Sequence, residues 1–248
     1  MAGRFEGQSF VITGGTNGIG LGTARRIVTE GGRVLVTGRN PERLAAAEAI
    51  EGVHAIANDA ADPAAAPALA QAARDLFGTV DGVFLNAGMG VISPLSDITE
   101  ELYRKQFDLN VGGVLFGAQA LAPVIKQDGC MLLMASGVKT KGIPGAILYA
   151  GSKGAVRSIA MVLARELKPQ GIRVNTISPG PIETDFHGPA SNDPGQAEEI
   201  AELLRAMIPL GRMGRLEEAV AVATFLLSNE ATFVTGADYP VDGGEAQL

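Results

Sequence analysis

Tyr149 and Lys153 stand four residues apart in what reads as the start of a long helix, Tyr149 to Leu167, so both side chains fall on one face. A free phenol titrates near ~10, and a neighbouring ammonium lowers that value by stabilising the phenolate. The pair is therefore suited to giving and taking a proton at neutral pH. Of the three tyrosines only this one has lysine four positions on; Tyr103 is followed by Phe107 and Tyr239 by Gly243. Ser136 lies just past a strand ending at Ala135, where its hydroxyl can hold a substrate oxygen. Asn110 sits beside two glycines inside an expected helix from about Thr99 to Lys126. Its poor helix propensity there marks either function or a buried amide that satisfies an irregular turn.

A second group of residues could hold phosphate. The first apolar run enters Thr13-Gly14-Gly15-Thr16-Asn17-Gly18-Ile19-Gly20, and a helical pattern follows. Glycines allow the sharp turn, and they let a pyrophosphate approach main-chain N–H groups at the positive end of the helix. Thr37-Gly38-Arg39 closes the second run, where a site for NAD usually carries a carboxylate for the ribose 2′-hydroxyl. Gly38 removes that carboxylate and Arg39 can clasp a 2′-phosphate, which favours NADP(H), with NAD(H) as the alternative.

These residues require a frame. Runs at Ser9 to Thr13, Arg33 to Thr37, Val53 to Ala57, Asp81 to Asn86, Gly129 to Ala135 and Ile172 to Ser178 are largely apolar and alternate with helical patterns. Strands covered on both faces imply a doubly wound α/β fold with a mostly parallel sheet and helices on both sides. Asn40-Pro41 and Asp62-Pro63 mark two helix starts. The chain reads as one domain over 1–248. A Gly- and Pro-rich excursion at about 186–209 is the candidate for a substrate flap.

The 248 residues are 46% hydrophobic and 19% charged, with a mean hydropathy of +0.20, which suits a large buried core. A net charge of -7 disfavours nucleic acid and anionic membrane as partners. No stretch of the sequence approaches the ~20 apolar residues of a membrane span, and the polar N-terminus points to a cytoplasmic address. Cys130, the single cysteine, reads as a buried strand residue. His54 and His187 have no partners at ligand spacing, so no metal is expected. His54 reads as structural, and His187, beside Phe186, as an exposed loop residue or a pocket wall.

Taken in order, these motifs resemble the short-chain dehydrogenase/reductase family from Thr13 to Gly244. The matching features are the Thr-Gly-x-x-x-Gly-x-Gly loop, Asn86-Ala87-Gly88, Ser136, Tyr149-x-x-x-Lys153, and Pro179-Gly180 after the sixth strand. The resemblance implies a hydride transfer between a nicotinamide cofactor and a ketone or secondary alcohol. In that scheme Tyr149 moves the proton, Ser136 orients the carbonyl, and Lys153 holds the ribose while lowering the Tyr149 pKa. Asn110 would position a water that relays protons from Lys153. Asp59 and Ala60 would meet the adenine, and Ile182 and Thr184 the nicotinamide carboxamide. The tail from Val234 would form a seventh strand and complete a homotetramer. Ala135 departs from the second serine of many relatives.

Met89 to Ile92, Gly137 to Ile143 and the flap would wall a mostly apolar pocket for a small carbonyl or alcohol substrate, although a 3-oxoacyl thioester could also enter. Lys139 and Lys141 read as solvated loop residues or as attractors for an anionic substrate. The rival from another class is a dinucleotide-binding sensor without turnover, whose signature would be a damaged Asn110, Ser136, Tyr149 and Lys153 set.

Overall fold

The structure, a computed structural model, describes residues 3–184, 202 and 204–248. Phe186, His187 and most of the flap expected over 186–209 lie outside the described residues. The Val- and Ile-rich runs form the strands β1 (Ser9–Thr13), β2 (Arg33–Gly38), β3 (Val53–Ala57), β4 (Val80–Leu85), β5 (Ile125–Met134) and β6 (Arg173–Pro179), and Asp238–Val241 adds β7. All pair in parallel, in the order β3-β2-β1-β4-β5-β6-β7.

Helices cover both faces because successive strand residues point opposite ways, as β1 shows. Val11 packs with Leu85, Leu133 and Val174 under the helices α3 (Ala66–Phe77), α5 (Gly113–Leu121) and α6 (Ile147–Glu166). Its neighbours Phe10 and Ile12 pack with Phe84 and Leu132 under α1 (Gly18–Thr29) and the Leu216–Leu227 helix. Phe10, Phe84 and Leu132 are fully buried, and each stabilises the sheet by roughly 1.5–3 kcal/mol. The order places β1 beside β4, where the winding reverses. The carboxyl ends of the strands open a crevice at such a point.

Local signals set the helix starts. Asn40 accepts from the Arg43 N–H at the start of α2 (Pro41–Glu48). Asp62 caps the Ala64 N–H, opening a 3-10 turn, Pro63–Ala65, that leads into α3.

The helix expected from Thr99 to Lys126 is corrected in two places. It divides into α4 (Glu100–Phe107), a π turn at Asp108–Gly112, and α5. The π turn carries Asn110, the residue whose presence in a regular helix was anomalous. A second change follows α5, where Pro123 lies in a 3-10 turn, Ala122–Val124, and β5 begins at Ile125 rather than Gly129. The extra length of β5 includes a register shift against Val80 and Gly82, with Asp128 at φ +61°.

The hydropathy expectation is also corrected. Among the described residues two helical stretches, Glu100–Val124 and Ile147–Glu166, are long and apolar enough to cross a membrane by length and composition. In this fold both lie against the sheet. Val114, Ala118 and Leu121 from the first stretch and Val156 and Ala160 from the second enter the core beneath it.

Candidate active site

The glycine loop is anchored at the β1/β4 crevice. Thr13 Oγ1 accepts from the Asn86 and Ala87 N–H groups at 3.0 and 3.1 Å, while Asn86 Nδ2 donates to the Thr13 and Gly14 carbonyls at 3.1 and 2.9 Å. Gly14 has φ +62°, and a Cβ on it would lie 2.9 Å from Ala87 Cα; at Gly20 a Cβ would lie 2.5 Å from Asn86 Nδ2. Side chains at either position would break the tie between β1 and β4.

Asn17 precedes α1 with extended backbone and makes no side-chain cap, and the first turn, Gly18-Ile19-Gly20, holds no acidic residue. Its leading N–H groups and the helix dipole therefore face a gap that suits an anion. Among the described residues, a Cβ on Gly18 would meet nothing closer than Thr184 Cβ at 4.0 Å. These residues fit the pyrophosphate of a dinucleotide.

At the end of β2, Arg39 Nη1 lies 3.4 Å from Asp59 Oδ2, and both side chains are exposed, at 69% and 44%. The other Asp59 oxygen accepts from the Ala61 N–H at 3.0 Å. Ala60 packs on the start of α5, where a Cβ on Gly113 would lie 2.7 Å from its carbonyl oxygen. Gly38 has a steric reason as well as an electrostatic one: its Cβ would lie 2.6 Å from Thr16 Oγ1. Thr16, in the phosphate loop, fills the space that a side chain at position 38 would need.

The reacting groups meet beyond β5. Ser136 is buried, accepts from the Val138 N–H at 3.3 Å, and is hydrogen-bonded to Tyr149. Two residues into α6, Tyr149 keeps part of its surface exposed. One turn on, the fully enclosed Lys153 Nζ donates to the Met134 carbonyl at 2.7 Å and lies 5.9 Å from the centre of the Tyr149 ring. Burial pushes Lys153 down to about 7.

Tyr149 departs from the sequence expectation, because burial pushes it above its usual value rather than below. The group that pulls it down is the Ser136 hydroxyl. Lys153 is directed at Met134, and burial weakens its own positive charge.

Asn110 is fully buried. Its Oδ1 accepts from the Met89 N–H at 2.9 Å, and its Nδ2 donates to the Met89 carbonyl at 2.8 Å and to Ser152 Oγ at 3.0 Å. Both amide protons are thereby used, so a water at this residue has only the remaining Oδ1 lone pair and the main chain of the π turn. A Cβ on Gly88 would sit 3.2 Å from both Asn110 Oδ1 and Lys153 Nζ, so a side chain there would press on both groups.

Opposite these groups, Pro179 ends β6 and the Gly180 N–H donates to the Val241 carbonyl at 3.1 Å. Ile182 is buried and forms a bridge with Gly214. Sequence reasoning missed Gln106 and Ser152, both fully buried. Gln106 lies one helical turn before Asn110. It holds the Met89 carbonyl at 2.6 Å and the Val91 N–H at 2.9 Å. A polar pair at that spacing on an apolar face was the available signal.

The loop lysines are neither solvated nor free. Lys139 is buried against Asp238, and Lys141 pairs with Glu245. Cys130 is a buried strand residue whose thiol burial pushes up to about 11. His54 packs edge-on against Phe77, with Glu48 4.0 Å away. Among the described residues no three His, Cys, Asp or Glu side chains cluster as a metal site.

A family model described as enoyl-(acyl carrier protein) reductase matches residues 14–245, which spans the site from Gly14 onward. The chain belongs to the short-chain dehydrogenase/reductase family. It is 36% identical to the NADP-dependent (R)-specific alcohol dehydrogenase of Lentilactobacillus kefiri, over 98% of each chain. It is 31% identical to the 2-dehydro-3-deoxy-L-rhamnonate dehydrogenase (NAD(+)) of Sphingomonas sp. (strain SKA58), over 98% of this chain and 97% of that one. Among solved short-chain dehydrogenase/reductase folds, a blue fluorescent protein from a metagenomic library in complex with NADPH superposes with a TM-score of 0.90 at 30% identity. That match covers 98% of this chain and 99% of the other. Oxidoreductase activity on small alcohols or carbonyls, with a nicotinamide dinucleotide, follows from this membership.

Proposed function

We propose that the protein is an NADP(H)-preferring alcohol dehydrogenase and ketone reductase in which Tyr149 is the general acid and base. The observation that carries this reading is the Ser136–Tyr149 hydrogen bond above a buried Lys153, at the strand edge that also bears the glycine cradle.

Gly14, Thr16, Asn17, Gly18, Ile19 and Gly20 hold the pyrophosphate. Arg39 turns from Asp59 to a 2′-phosphate, Asp59 and Ala60 border the adenine, and Asn86, Ala87 and Gly88 floor the crevice. Pro179, Gly180, Ile182 and Thr184 border the nicotinamide end, and Lys153 with Tyr149 reaches its ribose. When bound, the reduced cofactor supplies the hydride.

In reduction, Ser136 donates to the carbonyl oxygen and fixes its distance from Tyr149, which delivers the proton. Burial keeps Tyr149 protonated at neutral pH, as an acid requires. Asn110 keeps the Met89 loop and the π turn in place, and the proton relay from Lys153 uses the π-turn main chain. Supporting a neutral ketone over an acyl chain on an anionic carrier, Lys139 and Lys141 are both neutralised by carboxylates, so the loop offers no spare cation. Exposed apolar residues on α5 and α6, namely Leu115, Met161 and Val162, support assembly into the family's homotetramer.

Titration with NADPH and NADH, followed by a ketone panel that includes a 3-oxoacyl thioester, tests this reading. NADPH preference that disappears in Arg39→Ala, with turnover of neutral ketones, is expected. NADH preference would overturn the cofactor assignment, and thioester-only turnover the substrate class. Tight binding with no turnover would point to a dinucleotide sensor.

A further inference from the structure

The two loop lysines lead to the C-terminal segment. Lys139 Nζ has three protons and three acceptors, namely the Ser136 carbonyl at 3.1 Å, Ser178 Oγ at 2.8 Å and Asp238 Oδ2 at 2.8 Å. The other Asp238 oxygen accepts from Thr176 Oγ1 and Ser178 Oγ, each at 2.6 Å. Lys139 is 7% exposed at its side chain and Asp238 19%, so this is a largely buried ion pair in which all three ammonium protons are placed. A little further out, Lys141 pairs with Glu245 at 2.5 Å, with side-chain exposures of 19% and 7%.

The tail beneath the loop is itself fixed. Asp242 accepts from the Gly244 and Ala246 N–H groups, each at 3.0 Å. A Cβ on Gly137, next to Ser136, would lie 3.7 Å from the Pro179 carbonyl and 3.8 Å from Ala246 and Asp242. The tail, the Pro179 turn and the serine loop thus share one contact region.

We infer that Lys139–Asp238 and Lys141–Glu245 form a two-point latch through which β7 and the C-terminal tail position Ser136 against Tyr149. Lys139 is a positioning residue and does not bind substrate. Holding the Ser136 carbonyl fixes the backbone from which its hydroxyl reaches the phenol. Breaking a buried pair by removing one partner leaves an uncompensated charge, so single variants can also lose stability. The inference rests on the proposed roles of Ser136 and Tyr149.

The test compares Lys139→Met, Lys139→Arg and the charge-free double variant Lys139→Met/Asp238→Asn with the wild type. Ketone kinetics, the pH profile of alcohol oxidation and melting temperature are read on each. Misplacement of the serine predicts a fall in kcat on the order of 10²-fold, with the NADPH dissociation constant unchanged. Among the described residues, Ser136 bonds the Tyr149 phenol and Lys153 Nζ lies 5.9 Å from its ring centre. With Ser136 displaced, the phenol loses the bond that lowers its pKa, and the oxidation profile moves to higher pH. Lys139→Arg recovers most of the rate, while Lys141→Met costs only several-fold.

A double variant with wild-type melting temperature, kcat and pH profile would overturn the latch. So would a Lys139→Met effect confined to KM for anionic substrates. Wild-type protein that turns over no ketone or alcohol would instead defeat the proposed function. The latch is then judged by ultraviolet titration of the Tyr149 phenol, assigned against Tyr149→Phe, where an unshifted midpoint in Lys139→Met rejects it.

Discussion

The two ends of the crevice are built to different standards. At the adenosine end, Arg39 and Asp59 share one ion pair between exposed side chains, in water that screens it. At the reacting end, Ser136, Asn110 and Lys153 are buried, and each is held by at least one hydrogen bond to a named partner. Proton transfer depends on sub-ångström placement and needs a rigid surround. Choosing between cofactors needs only charge within reach, and a long side chain in solvent supplies it. Changes at the reacting end should therefore cost rate or fold, whereas changes at the adenosine end should re-tune preference and leave the rest of the molecule alone.

The sharpest way to break that contrast is Tyr149→Phe, which removes the proton donor while keeping the ring. A fall in kcat of roughly 10²–10⁴-fold is expected, far larger than any loss of NADPH binding, measured by steady-state kinetics beside fluorescence titration. Next comes Asn110→Leu, which strands the Met89 N–H while Gln106 still holds the Met89 carbonyl. A loss of about 2–3 kcal/mol in chemical denaturation is expected, and a neutral result would show that the π turn holds itself.

Arg39→Ala should weaken NADPH binding by about 10-fold and leave NADH binding where it was, a change of preference with no change in melting temperature. Lys153→Met sharpens the comparison differently, because it abolishes activity yet should stabilise the fold. Below about 7 the native protein must carry a buried ammonium. Between that value and the usual lysine range the unfolded chain is charged while the folded one is neutral. The penalty is therefore full at pH 6 and fades as pH rises toward the usual range. A gain on the order of 1–2 kcal/mol at pH 6, shrinking by pH 10, is expected, with the orphaned Met134 carbonyl offsetting part of it. Smallest of all, Gly38→Ala should cost about 1 kcal/mol, recovered by Thr16→Gly if the clash alone is responsible.

Most of the frame was legible because buried parallel strands are apolar on both faces. The β1 pattern Phe10-Val11-Ile12 needs no tertiary knowledge to be read. The long helix before β5 was misread because neither a π turn nor an early strand start changes hydrophobic periodicity much. Asn110 and Pro123 were the only marks.

Tyr149, Lys153 and Ser136 were found by spacing and by position after a strand. Their electrostatics were not, since the direction of the Tyr149 shift depends on burial and on where Lys153 points. Lys139 and Lys141 were misjudged for a related reason. Asp238 and Glu245 lie far along the chain and come within reach only after β7 pairs with β6.

The side chain of Asn110 meets Met89 as another peptide group would, with one donor and one acceptor facing a main-chain N–H and carbonyl. Together with Gln106, which holds the Val91 N–H, it gives an irregular stretch the protection of a sheet. In solvent deuterium exchange, the Met89 and Val91 amides should therefore persist as long as those of β4, far beyond what a loop warrants. They form an internal gauge of whether the site is assembled, readable without substrate and without turnover.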